Sequence, residues 1–164
     1  MATAIVRSKY AGRSDLLSRF GDLMAEVARE RLLACTERPP HLVVAVPLHP
    51  KRLVLRGYDQ AALLAAPIAR RLGVPCAPRA IVRVRETPPQ ASLDRDARAA
   101  NVARAFRCKP RFTFTGLRIV LVDDVRTTGA TLEACADALR TAGAADVVAF
   151  VLASRDRDET GPLM

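Results

Sequence analysis

The sequence predicts an α/β fold in which a central, mostly parallel sheet is flanked by helices. Three hydrophobic runs without polar alternation, at 42–46, 119–122 and 146–153, are typical of strands buried on both faces. Shorter strands are predicted at 80–84 and at 112–115. Helix starts, apolar residues at three- and four-residue steps and helix-ending glycines predict helices at about 14–35, 60–72 and 129–142.

The length of 164 residues corresponds to about one domain, and half of the residues are hydrophobic, so a real core is expected. Within this single domain we expect an N-terminal helical segment at 1–40 and a polar tail at 154–164. The stretch 85–106 is polar and arginine-rich, with Pro88 and Pro89 near its start. Long excursions inside a compact domain are usually lids or binding loops, so this stretch is predicted to be a flexible lid.

The composition favours polyanionic partners. The net charge is +9 with a pI near 10.4, which suits nucleic acid or a substrate that carries several phosphates. An arginine bias spread over solvated surfaces explains the same charge equally well. Aromatic residues make up 4% of the chain and tryptophan is absent, which disfavours a protein that binds single strands mainly by stacking bases.

The four cysteines, Cys35, Cys76, Cys108 and Cys135, are too far apart for a zinc knuckle or a redox dithiol. We expect them to be small core residues in a reducing compartment. The longest apolar runs are strand-sized, far below the roughly 20 residues of a membrane span, and the first residues lack the pattern of a signal peptide. The expected location is therefore the cytoplasm, without membrane insertion.

The stretch 119–131, IVLVDDVRTTGAT, is the part of the sequence that indicates a chemistry. Asp123 and Asp124 come where a buried strand is expected to leave the sheet, at the rim where open α/β folds bind ligands. The threonines and the glycine that follow open a helix, whose first N–H groups and positive dipole suit a phosphate. A sugar phosphate requires both features: an acidic pair that binds its hydroxyls and, beside it, a site that binds its phosphate.

Other interpretations of an Asp-Asp pair after a strand are weaker. Receiver domains of two-component signalling need a later lysine, and no lysine follows Asp124. A phosphatase Asp-x-Asp motif fails because Val125 stands where the second Asp would be. An ordinary strand followed by a capped helix explains one Asp and one Thr but not the whole set.

The same stretch resembles the loop that binds phosphoribosyl pyrophosphate (PRPP) in type I phosphoribosyltransferases. The resemblance implies that Asp123 and Asp124 bind the two ribose hydroxyls, act in catalysis and hold Mg²⁺, directly or through water. It also implies that the residues after them hold the 5-phosphate, namely Val125, Arg126, Thr127, Thr128, Gly129, Ala130 and Thr131.

Two further segments are assigned through this resemblance. The loop after the first strand is expected to bind the pyrophosphate through its cluster of cations, Lys51, Arg52 and Arg56. The lid is expected to close over PRPP and exclude water from the reaction. Its candidate residues are Gln90 and Arg98, which we assign to catalysis, together with Arg85 and Asn101.

Three motifs in order, RGYDQA, TPPQASL and VDDVRTTGAT, resemble the competence protein F (ComF) family, a branch of the phosphoribosyltransferase superfamily. The resemblance covers about residues 7–154 and implies a type I phosphoribosyltransferase fold and a role in DNA uptake during natural transformation. Members of that family commonly begin with cysteine-rich zinc-binding knuckles, which this sequence does not contain, and Asp59 replaces their more usual Asn.

Two functions from different classes remain open at this point. The first is an enzyme that transfers phosphoribosyl to an unknown nitrogen acceptor and releases pyrophosphate. The second is a PRPP- or nucleotide-binding module without turnover that assists import of single-stranded DNA, with an ATP-driven DNA translocase as a further partner. Plain nucleic-acid binding rests on charge alone and is the weakest interpretation.

Overall fold

The computed structural model describes residues 14–34, 39–84 and 105–154. The chain folds into four helices and five strands within these ranges. In chain order they are α1 (Ser14–Ala34), β1 (Leu42–Ala45), α2 (Pro50–Arg56), α3 (Gln60–Leu72), β2 (Ile81–Arg83), β3 (Phe106–Cys108), β4 (Arg118–Arg126), α4 (Ala130–Thr141) and β5 (Asp146–Ser154).

The central sheet is parallel and has the strand order β1-β4-β5 among the described residues. Leu42 pairs with Ile119 at the start of the β1–β4 ladder, and Arg118 pairs with Asp146 at the start of the β4–β5 ladder. An isolated parallel bridge joins Val43 to Cys76 on the other side of β1. The predicted α/β fold with a mostly parallel sheet is confirmed.

Each face of this sheet has its own core. Alternate residues of β4 point to opposite faces, so Val120 and Val122 pack with α1 and α3, while Ile119 and Leu121 pack with α4. The α4 face is extended by β2 and β3, which form an antiparallel pair that also packs on α4. Apolar burial on both faces explains why β4 has a continuous hydrophobic run.

The sequence analysis predicted the bounds of α1, α3, α4 and the three strands of the central sheet to within a few residues. The Asp59 carboxylate caps α3 by accepting a hydrogen bond from the Ala62 N–H at 3.2 Å, as predicted. Gly73 ends α3 with a φ of 70°, in the left-handed region that favours glycine. Gly143 follows α4 with a φ of 98° and serves the same purpose.

Several expectations were wrong. The segment after β1 is not an irregular loop, because Pro50–Arg56 forms a helix. Residues 112–115 form irregular backbone and the start of a turn rather than a strand. Phe106 begins β3 and is buried, so the predicted lid ends before it. Cys76 is exposed rather than a core residue, whereas Cys135 is buried as expected.

Some predictions lie outside the described residues. They include most of the lid, at 85–104, with its candidates Arg85, Gln90, Arg98 and Asn101. They also include the first thirteen residues of the N-terminal segment, residues 35–38, and the tail after Ser154.

Candidate functional site at the carboxyl edge of the sheet

The carboxyl ends of β1 and β4 form a topological switch point. These neighbouring parallel strands are followed by helices on opposite faces, since α3 packs on one core and α4 packs on the other. Chain that leaves adjacent strands in opposite directions opens a crevice between them, and open α/β sheets bind ligands there. We call the edge between residues 46–49 after β1 and residues 123–129 at the end of β4 the crevice.

The acidic pair lies at this crevice. Pairing with β1 ends at Val122, whose carbonyl accepts a hydrogen bond from the Val46 N–H at 2.9 Å. On the other side β4 continues against β5, with Asp123 opposite Val151. The two acids are therefore the first β4 residues beyond the end of β1. Asp123 is half-buried, while Asp124 is buried with 9% of its surface exposed.

Strand alternation directs the two carboxylates to opposite faces of the sheet. Asp123 lies on the α4 side, where its charge acts on the Cys135 thiol, whose pKa is raised well above its ordinary value by burial and further by Asp123. Asp124 lies on the α3 side beside Asp59. Joint contact of both carboxylates with one ribose therefore requires that the sugar sit across the end of β4.

Asp59 is a third carboxylate at this edge of the sheet. The sequence analysis had predicted only that it caps a helix. Burial raises the pKa of the Asp59 carboxyl, hydrogen bonds from the backbone of Ala62, Leu48 and Ala61 oppose this, and the charge of Asp124 raises it further. Leu48 belongs to the segment after β1. The Asp59 carboxylate thus joins that segment to the start of α3 and faces the acidic pair.

The predicted phosphate loop divides into three parts. Val125 and Arg126 are the last residues of β4, the bends at 127–129 form the turn, and Ala130 and Thr131 begin α4. Gly129 caps the helix with a φ of 85°, which explains the glycine at this position. Val125 and Arg126 are therefore strand residues paired with β5, and only the rest of the predicted phosphate loop forms a turn and a helix start.

The turn is open to a ligand. Thr127 is exposed, and Thr128 and Gly129 are partly exposed. The Thr128 hydroxyl accepts a hydrogen bond from the Ala130 N–H at 3.5 Å, a long contact at the limit of hydrogen bonding. Like other helix starts, the first turn of α4 has N–H groups without intrahelical acceptors and the positive end of the helix dipole, and both suit an anion.

The three predicted pyrophosphate residues lie on α2. The helix starts with His49, whose Nδ1 accepts a hydrogen bond from the Lys51 N–H at 3.3 Å. Lys51 is exposed, whereas Arg52 and Arg56 are partly buried. None of the α2 residues is buried, so this helix carries its cations on a segment that contributes nothing to either core.

Arg83, at the end of β2, was missed by the sequence analysis. Burial lowers the pKa of its guanidinium, and the positive charge of Arg52 lowers it further, while the nearby Cys135 opposes this. Its guanidinium carbon lies 5.4 Å from the centroid of the Phe106 ring. The structure therefore adds Arg83 to the cations of α2, although a single arginine inside a short predicted strand gave no signal for this.

The carboxylates at this edge fit a hard divalent cation. Mg²⁺ prefers oxygen ligands and is usually bound through one or two carboxylates, with waters and substrate phosphates completing its shell. Asp123 and Asp124 supply such oxygens, and Asp59 adds negative charge beside Asp124. In the described part of the chain, no group of three or more His, Cys, Asp or Glu side chains is arranged so that it could hold a metal ion.

A second cleft lies between α1 and α3, away from this edge. Its charged side chains are paired with one another, Arg70 with Asp22 at 3.0 Å and Arg71 with Glu26 at 2.7 Å. Because its charges are already neutralised, this cleft is the weaker candidate for a polar ligand.

Among the described residues, no helix has the length and apolar character that crossing a membrane requires.

A parallel sheet whose switch point combines an acidic pair, a threonine-rich turn and a helix start defines a protein with the type I phosphoribosyltransferase fold. The phosphoribosyl transferase domain family matches residues 58–163, and the chain belongs to this family.

Relatives of known name are similar to most of this chain. A DNA utilization protein, YhgH, from Salmonella typhi is 37% identical over 147 residues, which cover 88% of this chain and 63% of the relative. The protein of the same name from Escherichia coli K12 is 33% identical over 153 residues, covering 93% and 66%. Competence protein F of Haemophilus influenzae is 36% identical over 115 residues, covering 70% and 50%. The chain thus spans less than two thirds of these relatives.

Solved structures share the fold. The glutamine PRPP amidotransferase from B. subtilis, complexed with ADP and GMP, has a TM-score of 0.53 and 20% identity over 83% of this chain and 26% of its own. A hypoxanthine phosphoribosyl transferase from Trypanosoma cruzi has a TM-score of 0.54 and 16% identity over 92% of this chain and 71% of its own. At this level of identity the likeness concerns the fold alone.

Proposed function

We propose that this domain binds PRPP with Mg²⁺ at the carboxyl edge of its sheet and transfers the phosphoribosyl group to an acceptor, with release of pyrophosphate. The observation that carries the proposal is the switch point between β1 and β4, which brings the acidic pair, the turn at 127–129 and the α2 cations to one edge. Membership of the phosphoribosyl transferase domain family supports it.

The roles of the residues follow from charge and position. Asp123 and Asp124 accept hydrogen bonds from the ribose hydroxyls and favour the positive charge that develops on the sugar as its bond to pyrophosphate breaks. The turn and the start of α4 hold the 5-phosphate. The leaving pyrophosphate is stabilised by the cations at the edge, Lys51, Arg52, Arg56 and Arg83.

Mg²⁺, held through Asp123 and Asp124 directly or through water, supplies further positive charge to the phosphates of the bound substrate. Gln90 and Arg98 of the proposed lid stay candidates for completing the site. Their role is to order the closed state and exclude water, because the developing ribosyl cation is otherwise hydrolysed.

A second candidate is a PRPP-binding module without turnover that serves DNA handling in the cytoplasm. It is favoured by the relatives, which are named for DNA utilization and competence. Import of single-stranded DNA with an ATP-driven translocase is the setting that we propose for either function. The two candidates share PRPP binding and differ in whether pyrophosphate is released.

The first prediction concerns PRPP binding. PRPP with Mg²⁺ is expected to raise the melting temperature, since a ligand at 100 times its Kd adds about 2.7 kcal/mol of stability. Replacing Asp123 and Asp124 together by Asn is expected to abolish the shift, as measured by calorimetry. Asp137→Asn is the matched control, because this exposed α4 residue pairs with Arg140 outside the crevice.

The outcomes separate the candidates. If wild-type protein shows no shift with PRPP and Mg²⁺, both functions lose their basis. If Asp137→Asn abolishes the shift as fully as the double variant, the crevice is the wrong site. Pyrophosphate release measured with a panel of bases and amines then decides turnover, because a binding module shows no acceptor-dependent release above slow hydrolysis.

A further inference from the structure

The antiparallel pair of β2 and β3, together with the turns that flank it, forms a strongly basic surface. We call residues 79–84 and 105–111 the basic ribbon. In the described ranges 77–84 and 105–117 there is no acidic residue. The basic ribbon carries five cations within these ranges: Arg79, Arg83, Arg107, Lys109 and Arg111.

Strand pairing sorts these side chains by face. Val82 pairs with Arg107, and the Lys109 N–H continues the ladder by donating to the Ala80 carbonyl at 2.8 Å. Ile81 and Phe106, of opposite parity, are buried in the core that includes α4. Alternation therefore places Arg107 and Lys109 together on the outer face, about 7 Å apart along the strand.

The outer cations are accessible. Arg79, Arg107 and Arg111 are exposed, and Lys109 is partly exposed. The Arg111 guanidinium carbon lies 5.0 Å from the centroid of the Phe112 ring, which itself stacks on Phe114. A ring face holds a guanidinium in place without neutralising its charge, so this arginine remains available to an anion.

Elsewhere on the described surface three arginines are paired, whereas Arg19, Arg29 and Arg31 on α1 are exposed and have no ion pair among the described residues. Arg70, Arg71 and Arg140 each form an ion pair with a carboxylate at 3.0 Å or less. The four outer cations of the basic ribbon have no carboxylate partner among the described residues. The stretch 85–104, which joins the two strands, lies outside those residues and holds four arginines against three acidic residues, so its own charge nearly balances.

We propose that the outer face of the basic ribbon binds the phosphate backbone of single-stranded DNA. The proposal rests on the DNA-handling part of the proposed function and assigns it a surface. A row of cations without acidic interruption complements a polyphosphate chain. The aromatic rings of the ribbon and of the turn after it are buried or covered by a guanidinium, so binding depends on phosphates and has little sequence preference.

The basic ribbon also approaches the carboxyl edge of the sheet, where the candidate functional site lies. Arg83 stands on the inner face of the same ribbon, and its guanidinium lies close enough to Arg52 for the two charges to interact. The inner face of the ribbon thus adds one cation to those of α2, while Arg107 and Lys109 lie on the opposite, outer face.

The second prediction tests this surface with the full chain. Anisotropy of a fluorescein-labelled oligothymidylate is measured over a range of salt concentrations. The triple variant Arg107→Ala, Lys109→Ala, Arg111→Ala is expected to lose at least tenfold in affinity. Its slope of log K against log salt is expected to fall by about 2, because each single-strand phosphate contact contributes about 0.7.

The matched control removes three cations from the paired surface: Arg70→Ala, Arg71→Ala, Arg140→Ala. We expect this control to stay within about threefold of wild type. An equal loss in both triple variants overturns the proposal, because net charge then explains binding. Absence of wild-type binding also overturns it.

Two further measurements separate this proposal from PRPP binding. The ribbon variant is expected to keep the PRPP-induced shift in melting temperature, and the Asp123→Asn, Asp124→Asn variant is expected to keep its DNA affinity. A wild type that binds DNA but not PRPP refutes the proposed function and leaves the ribbon assigned. If the triple variant fails to fold, Arg107→Gln with Lys109→Gln replaces it, and unchanged DNA affinity in that pair overturns the proposal.

Discussion

The two faces of the central sheet differ in helix packing and in the arrangement of their surface charges. On the α1–α3 face, helices pack so closely that a Cβ on Gly21 would meet the Pro67 ring at 2.9 Å, and Arg70 and Arg71 of α3 pair with carboxylates of α1. On the α4 face, the four outer cations of the basic ribbon have no carboxylate partner among the described residues. The helix contact on the first face includes paired charges, whereas the ribbon on the second face leaves four cations available to a ligand, with the candidate site at the edge between the two faces.

The third prediction, with the largest expected effect, compares a core leucine from each face. Leu64 on α3 and Leu139 on α4 are both fully buried, so Leu64→Ala and Leu139→Ala are each expected to cost about 2–5 kcal/mol of unfolding free energy. Chemical denaturation measures both costs. DNA affinity below the unfolding transition is expected to weaken in Leu139→Ala alone, because the ribbon packs on α4.

Equal DNA affinity in the two variants would break the comparison, since it would mean that the ribbon does not depend on the core beneath it. Fully folded protein must be confirmed for each variant by circular dichroism at the temperature of the binding measurement. A weaker affinity in Leu64→Ala but not in Leu139→Ala would reverse the assignment of the two faces.

Sequence patterns located the parts of the fold that rest on local chemistry. The buried strands, the Asp59 cap and the glycine ends of α3 and α4 follow from hydrophobic runs and backbone preferences. The α2 helix was missed because Pro50–Arg56 has exposed apolar residues and buries nothing, so no helical pattern marks it. The predicted strand at 112–115 failed because Phe114 is buried without strand pairing.

The candidate site was predictable where its residues are consecutive, as in the acidic pair and the turn behind it. It was not predictable where residues meet through tertiary structure. The proximity of Asp59 to Asp124, and that of Arg83 to Arg52, depends on how α3 and β2 dock beside the end of β4. No spacing in the sequence encodes these contacts.

The fourth prediction sharpens the account of the α1–α3 face with a double-mutant cycle. Gly21→Ala is expected to destabilise the protein because overpacking, which costs about 1–3 kcal/mol, exceeds the roughly 1 kcal/mol gained in helix propensity. In a Pro67→Ala background the nearest obstacle is gone, so Gly21→Ala is expected to be neutral or stabilising. Unfolding free energies of the four proteins give the coupling.

Ser18→Ala is the control for helix propensity on α1, because Ser18 is exposed on the same helix. It should give a small effect that is the same in both backgrounds. If Gly21→Ala has the same cost with and without Pro67, contact with that ring does not limit the approach of the two helices, and the Leu63 carbonyl at 3.3 Å becomes the relevant obstacle.

The fifth and smallest expected effect concerns Asp59, where the packed face meets the site. Its pKa is raised above the ordinary 3.8 by burial and by Asp124, so the neutral acid is favoured in the folded state. That contribution to stability is complete below the unfolded-state pKa and is lost as pH rises through the raised folded pKa. At pH 7 the ionised carboxylate carries a cost, which Asp59→Asn removes while it keeps a good N-cap.

Asp59→Asn is therefore expected to be more stable than wild type at pH 7, with the advantage shrinking as pH falls towards 3.8 and below. Asp59→Ala separates charge from capping, because losing the cap costs about 0.5–2 kcal/mol at every pH. An advantage of Asp59→Asn that is constant with pH would contradict the raised pKa. Loss of the advantage at pH 7 in an Asp124→Asn background would identify Asp124 as the charge that Asp59 opposes, whereas an unchanged advantage leaves burial as the cause.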